Sequence, residues 1–458
     1  MKGSKILLFI ASILLALLTV SFIFPSNGIS VTPSTHINFP KLRDLTTIEE
    51  IIENGANCTD TLDSYTNPCE ATEQIIYDGG LILPQPNYLD AAWETMATAK
   101  EAKRTVRILH YGDSQIELDR ISSKLRQYMQ HQFGGGGPGL IPYRKIIPTP
   151  VVSTSTDGVF THYSSFGDST VVRSRGNYGP MMQCFMQKSP TSSLIIRATS
   201  DTKQDSLVRN FSSVSLLYKS TANPIKATLS VRKLNYRNAQ KGTIGDVAKI
   251  QWQLDTSTDR ARIDLTGQET FLYGVMVDKD GGVAVDNIPM RGCSGQQFTL
   301  VNQQLLHDAY QQMDVSLILL QFGGNSVPYL KSEKSISTYC RSLAKQIRYI
   351  KQAAPHSCIV FIGPSDISKR INGRMASYPM LPTIIDSLKN MALDEGAGYW
   401  SIYHAMGGEN SMSDWVKKGL AGSDHIHFSQ AGADVMGDHL VQAFDEDYKR
   451  FLKHNTRH

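Results

Sequence analysis

The chain has 458 residues, a formal net charge of +4 and 41% hydrophobic residues. That length supports two or three domains and a large core. A charge this small, with no basic run in the sequence, excludes nucleic acid as the expected partner. The six cysteines contain no C-x-x-C pair, which argues against a zinc ribbon.

Taken from its start, the sequence first predicts export. Lys2 and Lys5 precede an uncharged, almost wholly apolar run over residues 6–25. Such a run is about long enough to cross a bilayer as a helix. Positive charge before it and none directly after it place the start of the chain in the cytoplasm and the rest outside. The long apolar stretch without an Ala-x-Ala site favours an uncleaved anchor at residues 1–25 over a cleaved signal peptide. Residues 26–73, rich in Ser, Thr, Asn and Pro, read as a stalk. Within it, Cys58 and Cys69 could pair in an oxidising compartment. Cys184, Cys293, Cys340 and Cys358 sit beside strand- or helix-like runs, as small buried hydrophobes do.

A first core segment spans residues 74–144. An amphipathic helix over about 88–102 leads into the apolar strand Val106, Ile108, Leu109. Gly112 and Asp113 supply turn chemistry. Ile121, Leu125, Met129 and Phe133 then recur at helical spacing. Ser114 therefore sits at a strand-to-helix junction, where unpaired backbone N–H groups and the helix dipole favour negative charge. Taken alone, Asp113-Ser114 reads first as an ordinary helix cap, which is what these residues most often form. The glycines 134–137, with Pro138 and Gly139, follow a helix and lack a Gly-Lys-Ser/Thr ending, so they read as a strained loop and not a phosphate cradle.

Over residues 145–286 the texture changes to short alternating segments, among them 193–199, 213–219, 227–232, 250–254 and 271–277. This pattern predicts an inserted all-β, jelly-roll-like sandwich. Tyr163, Phe166 and Tyr178 could stack on sugar rings there or fill its core. Helix–strand alternation resumes over residues 287–458. Strands are expected at 315–322, 358–362 and 398–403, with helices between them and a last helix carrying Val435, Met436, Leu440 and Phe444. Alternation of this kind means a parallel α/β sheet, whose sites gather at strand carboxyl ends. Ser114, Asn325 and Asp366 all fall at such ends.

Asp424-x-x-His427 supplies a base and a carboxylate that can reach its Nδ1–H, leaving Nε2 for a serine. Asp366 is a second candidate for the orienting acid. His425, His427 and Asp424 could also be read as metal ligands, but no further ligand accompanies them. His110 and His404 fall in apolar runs and read as satisfied core groups. Donors for a tetrahedral oxyanion are available from the backbone of Ser114, a backbone N–H at Gly295 and the amide of Asn325.

Gly112-Asp113-Ser114, Ser294-Gly295, Gly323-Gly324-Asn325 and Asp424-x-x-His427 occur in the order of the four sequence blocks of SGNH (GDSL-type) hydrolases. The chain resembles that family over its two core segments. The resemblance implies a flavodoxin-like three-layer α/β/α core without cofactor or metal. It implies Ser114 as nucleophile, His427 as base, Asp424 as its partner, and an oxyanion hole of Ser114, Gly295 and Asn325. Gly292 is the alternative to Gly295. Gln115 stands where leucine is usual and is expected to be neutral. Ser326 stands where an acidic residue commonly supports the asparagine. The motif Gly112-Asp113-Ser114-Gln115, the glycine loop and the inserted sandwich are similar to peptidoglycan and other exported carbohydrate O-acetylesterases. The expected partners are an O-acetylated glycan and, through the first helix, the membrane. The rival readings are an O-acetyltransferase served by a membrane-bound acyltransferase, and a non-catalytic glycan-binding protein on the same scaffold.

Overall fold

The computed structural model describes residues 29–32, 35–37, 79–167, 173 and 176–455. They fall in two units, Met1–Ile75 and Ile76–His458. In the first, Ile29–Thr32 (β1) and Thr35–Ile37 (β2) form a short antiparallel hairpin. The segment reads from the sequence as a stalk with little core of its own. The expected anchor at residues 1–25, with Cys58 and Cys69, lies outside the described residues. Among the described residues, no helix is long and apolar enough to cross a membrane.

The second unit opens with Asp90–Ala99 (α1), Thr105–Gly112 (β3), a 3-10 turn at Ser114–Asp119, and Ser122–Phe133 (α2). A run of strands follows: Gly139–Ile141 (β4), Val152–Asp157 (β5), Phe160–Ser164 (β6), Gln183–Gln187 (β7), Thr191–Ala198 (β8) and Phe211–Ser220 (β9). It continues through Lys226–Val231 (β10), Tyr236–Lys241 (β11), Ala248–Thr258 (β12), Arg260–Thr266 (β13), Thr270–Asp278 (β14) and Gly282–Pro289 (β15). Then come Gln303–Met313 (α3), Val315–Gln321 (β16), Glu333–Ala353 (α4), Cys358–Gly363 (β17), and the small hairpin Ser368–Ile371 (β18) and Arg374–Ser377 (β19). Leu381–Asp394 (α5), Gly398–Ser401 (β20), Ile402–Ala405 (α6), Ser411–Lys417 (α7) and Gln430–Asn455 (α8) complete it.

Strands β15-β3-β16-β17-β20 make a wholly parallel sheet in that spatial order. Numbered along the chain, this is the flavodoxin-like order 2-1-3-4-5, which reverses direction between β3 and β16. Side chains alternate across it. Leu109 and Tyr111 of β3 enter a core shared with α3, α4 and α5. Val106 and Ile108 enter the opposite one, shared with α1, α2 and α8. Three layers result, and the loops after β3 and β16 meet at the reversal point.

The insertion is a two-sheet antiparallel sandwich. One sheet has the order β11-β10-β13-β8-β5; the other has β12-β9-β14-β7-β6, with β4 beside β14. Leu194, Ile196, Leu216, Tyr218, Ile263 and Leu265 fill the space between them. The six-stranded sheet turns its other face to the α/β core, sending Leu217, Phe271, Tyr273 and Met276 into the same cluster as α3 and α4. Tyr178 is buried, and Tyr163 and Phe166 pack on that cluster, so these aromatics are packing residues and not a sugar platform. Both expected borders move. β4, at 139–141, already pairs with β14. The core resumes at Gly282 and not at 287, because β15 pairs along the length of β3. Buried on both faces, β15 lacks the polar alternation that marks a strand's end in the sequence. The glycine loop makes the crossing between domains. A Cβ on Gly135 would stand 2.4 Å from the Val283 carbonyl oxygen, and Gly134, Gly135, Gly136 and Gly137 all have positive φ.

Candidate active site

Strand β3 is buried over all but its first residue, and it delivers Ser114 to the rim of the sheet. Asp113 caps the 3-10 turn by accepting the Gln115 N–H at 2.9 Å. The expected helix does not start at Ser114. The turn breaks at Glu117, and Leu118, Asp119 and Ile121 take positive φ before α2 begins. A buried ion pair holds this unusual path. Arg126 of α2 grips Asp119, with Nη2–Oδ1 at 2.8 Å, while its Nε donates to the Val285 carbonyl at 2.8 Å.

Ser114 Oγ lies 2.9 Å from His427 Nε2, and His427 Nδ1 lies 2.8 Å from Asp424 Oδ2. The other oxygen of Asp424 accepts the backbone N–H of Ile426 at 3.0 Å and of His427 at 3.1 Å. Partial burial raises the Asp424 carboxyl, but the His427 bond and the two N–H groups outweigh it and hold it below its ordinary value. It is therefore ionised at neutral pH. Asp366 is not the orienting acid. It is buried, and bonds Ser377 Oγ at 2.5 Å and the Met412 N–H at 2.9 Å.

The sequence reading missed two side chains that fix the histidine. Gln115, expected to be neutral, donates from Nε2 to the Ile426 carbonyl at 2.6 Å and accepts the Phe428 N–H at 3.2 Å on Oε1. Its amide thus pairs with the backbone on both sides of His427. Arg120 donates to the carbonyls of Ser114 at 2.7 Å, Glu117 at 2.9 Å and Phe428 at 3.0 Å. Polar residues just after a candidate nucleophile were the available signal, but nothing in the sequence pairs them with 426–428.

On the other side of Ser114, Asn325 follows β16. Its Nδ2 donates to Asp113 Oδ2 at 3.1 Å and to the Cys293 carbonyl at 3.0 Å. Asp113 thus supports the asparagine, where an acidic neighbour at position 326 would be usual. Burial lifts the Asp113 carboxyl to about 6, against the opposing pull of the Gln115 N–H and His427. Gly292 and not Gly295 lines the cavity. Gly295 is buried, and a Cβ there would meet Phe322 at 2.9 Å. Among the described residues, the backbone N–H groups of Ser114 and Gly292 donate to no protein acceptor.

These groups open on a cavity of about 540 Å³. Tyr329, 68% exposed, stands on its wall. Arg291 stands at its rim, tied by both carboxylate oxygens to buried Glu117. His110 does not reach the cavity. It is buried between Ser122 Oγ at 2.9 Å and Gln321 Oε1 at 3.0 Å, and burial lowers it to about 4, so it is neutral. His404 is exposed and bonds Ser401, which corrects its expected core position.

Residues 265–435 match the model of the GDSL-like Lipase/Acylhydrolase family. The match takes in Gly292, Asn325, Asp424 and His427; the sandwich separates it from Ser114. No curated protein matches the sequence. Among solved structures, the chain is similar to a peptidoglycan O-acetylesterase at 18% identity and TM-score 0.66, covering 81% of this chain and 99% of that one. A family two carbohydrate esterase from Cellvibrio japonicus aligns at 11% identity and TM-score 0.26, over 66% of this chain and 99% of that one. The family-model match over residues 265–435 and the fold likeness to the peptidoglycan O-acetylesterase bear out the resemblance to SGNH hydrolases.

Proposed function

We propose, from the premise that this chain is built on an SGNH (GDSL-type) hydrolase core, that it is an extracytoplasmic serine esterase. It removes O-acetyl groups from cell-wall glycan or a related polysaccharide. The observation that carries the reading is the unbroken line Ser114 Oγ, His427 Nε2, His427 Nδ1, Asp424 Oδ2, with links of 2.9 and 2.8 Å, at the mouth of a cavity. Likeness in fold to a peptidoglycan O-acetylesterase, over nearly all of that chain, supports the substrate class and the location outside the cytoplasm.

In this mechanism Ser114 Oγ attacks the acetyl carbon as its proton passes to His427 Nε2. Ionised Asp424 holds Nδ1–H and stabilises the imidazolium. The oxyanion is met by the N–H groups of Ser114 and Gly292 and by Asn325, whose Nδ2–H is shared with its resting acceptors in a three-centre bond. Collapse breaks the bond to the sugar oxygen, which takes the proton from His427. Water then attacks acetyl-Ser114, giving its proton to His427, and acetate leaves as Ser114 recovers its hydrogen.

The test is acetate release by the full-length protein from O-acetylated peptidoglycan and from p-nitrophenyl acetate, with and without a sugar acceptor. Ser114→Ala should lower hydrolysis by at least roughly 10⁴-fold. Acetylation of the acceptor in preference to hydrolysis would make the protein a transferase. Equal inertness of both proteins on every donor would overturn the catalytic reading and favour glycan binding alone.

A further inference from the structure

The five-stranded sheet of the sandwich turns one face inward and leaves the other uncovered. Ala227, Leu229, Val231, Ile263 and Leu265 are buried inward, so their neighbours along each strand point out. Strand register then sets the outward residues in rows. One row runs Arg237, Ser230, Arg262, Ile195, Ser155 across β11, β10, β13, β8 and β5. Beside it, Arg260 stands directly opposite Arg197. At the far end of the same face, Lys226 stands directly opposite Lys241.

Like charges directly opposite on paired strands destabilise a sheet. Here two such pairs share one face, whose outward carboxylates are Asp264 and Asp157, both paired with Ser193 in the row between them. Asp264 bonds Arg262 at 2.8 Å, and Asp259 bonds Lys233 at 2.7 Å. Arg232, Arg237 and Arg260 make no ion pair among the described residues, and all three line a cavity of about 720 Å³ at this end of the sheet. Between the cations the outward positions are Ser153, Ser155, Ser230, Ala239 and Ile195, the buried Ser193 and Thr228, and the carboxylates of Asp264 and Asp157.

We propose that this outward face is a binding site for an acidic polysaccharide chain. The arginines at one end and the lysines at the other meet successive carboxylate or phosphate groups. The hydroxyls between them bond sugar hydroxyls. The strand rows carry no aromatic side chain on which single-stranded nucleic acid could stack, Tyr236 on the cavity wall packs against the sandwich core, and the apolar wedge that enters a membrane is missing. Occupation by a polyanion relieves the like-charge repulsion, so the bare face carries a cost that the ligand removes. The site is distinct from the catalytic cavity and does not depend on the reading of Ser114.

The experiment is affinity electrophoresis of the full-length protein through gels holding polygalacturonate, poly(glycerol phosphate) or neutral dextran. Vesicles of anionic phospholipid are tested by sedimentation. Wild type is expected to be retarded by one or both polyanions and not by dextran. Arg232→Ser, Arg237→Ser and Arg260→Ser together should weaken retention by about tenfold or more. Lys334→Ser, Lys418→Ser and Lys453→Ser remove the same charge elsewhere and should change it less than about twofold. The arginine variant should keep the wild-type far-UV circular dichroism spectrum and a cooperative thermal melt, which show that it is folded. The proposal is overturned if neither polyanion retards wild type, if both triple variants lose retention equally, or if only the vesicles bind. The two polyanion lanes identify which anionic group is read.

Discussion

The segment carrying Ser114 and the turn carrying His427 contribute equally to the proposed catalytic line but are held in different ways. The nucleophile segment continues a buried strand and is locked from below by Arg126 and Asp119, each 2% exposed. The histidine turn lies at the surface, with His427 38% and Asp424 48% exposed. Its fixed points are its own Asp424 and two side chains, Gln115 and Arg120, that reach over from the nucleophile segment. The serine is placed by burial, and the histidine is placed by the serine's neighbours. A site assembled from distant segments gains precision when one rigid segment serves as the template for the other.

Breaking each support separately should expose the difference. Arg126→Met leaves Asp119 buried and unpaired, and should cost about 3–5 kcal/mol of stability, read from urea unfolding. Asp424→Asn should leave stability nearly unchanged but lower kcat by roughly 10²–10³-fold. Water partly replaces an exposed orienting acid, so the loss is smaller than at a buried one. Gln115→Leu, which installs the residue usual in the family, should lower kcat by about 10–100-fold and change KM less, since it frees the histidine turn while keeping a side chain of similar size on the cavity wall.

The smallest effect sharpens the comparison through pH. The Asp113 carboxyl, lifted by burial to about 6, is easier to protonate folded than unfolded. Its contribution to stability is therefore present below its unfolded value and lost as pH rises through about 6. Asp113→Asn lacks this loss. The stability of the variant relative to wild type should rise between pH 4 and pH 7, by about 2 kcal/mol, and level off above that. Thermal melts that show a constant difference across that range would place the proton elsewhere.

Much of the core was legible because its signals are local. Apolar strands such as 315–321, one-face helices such as α4, and the short span from Asp424 to His427 depend on residues near one another in the chain. Strand-end placement of Ser114 and Asn325 followed from βα alternation alone. Domain borders were less legible, because β15 is buried on both faces and β4 is only three residues long.

Sequence alone therefore indicated a parallel α/β core with an inserted all-β segment through local periodicity, and brought Ser114, His427 and Asp424 forward as candidates through spacing and the resemblance of four sequence blocks to SGNH hydrolases. Tertiary structure alone decided which glycine faces the cavity, that Asp113 supports Asn325, and that Gln115 clamps the histidine turn from 311 residues away. It also gathered the sandwich arginines, which no run of sequence brings together, into one face through strand register. The physical reason is the same in each case. A side chain's partner across the chain is set by pairing and packing, and those interactions leave no periodic trace in the segment that carries it.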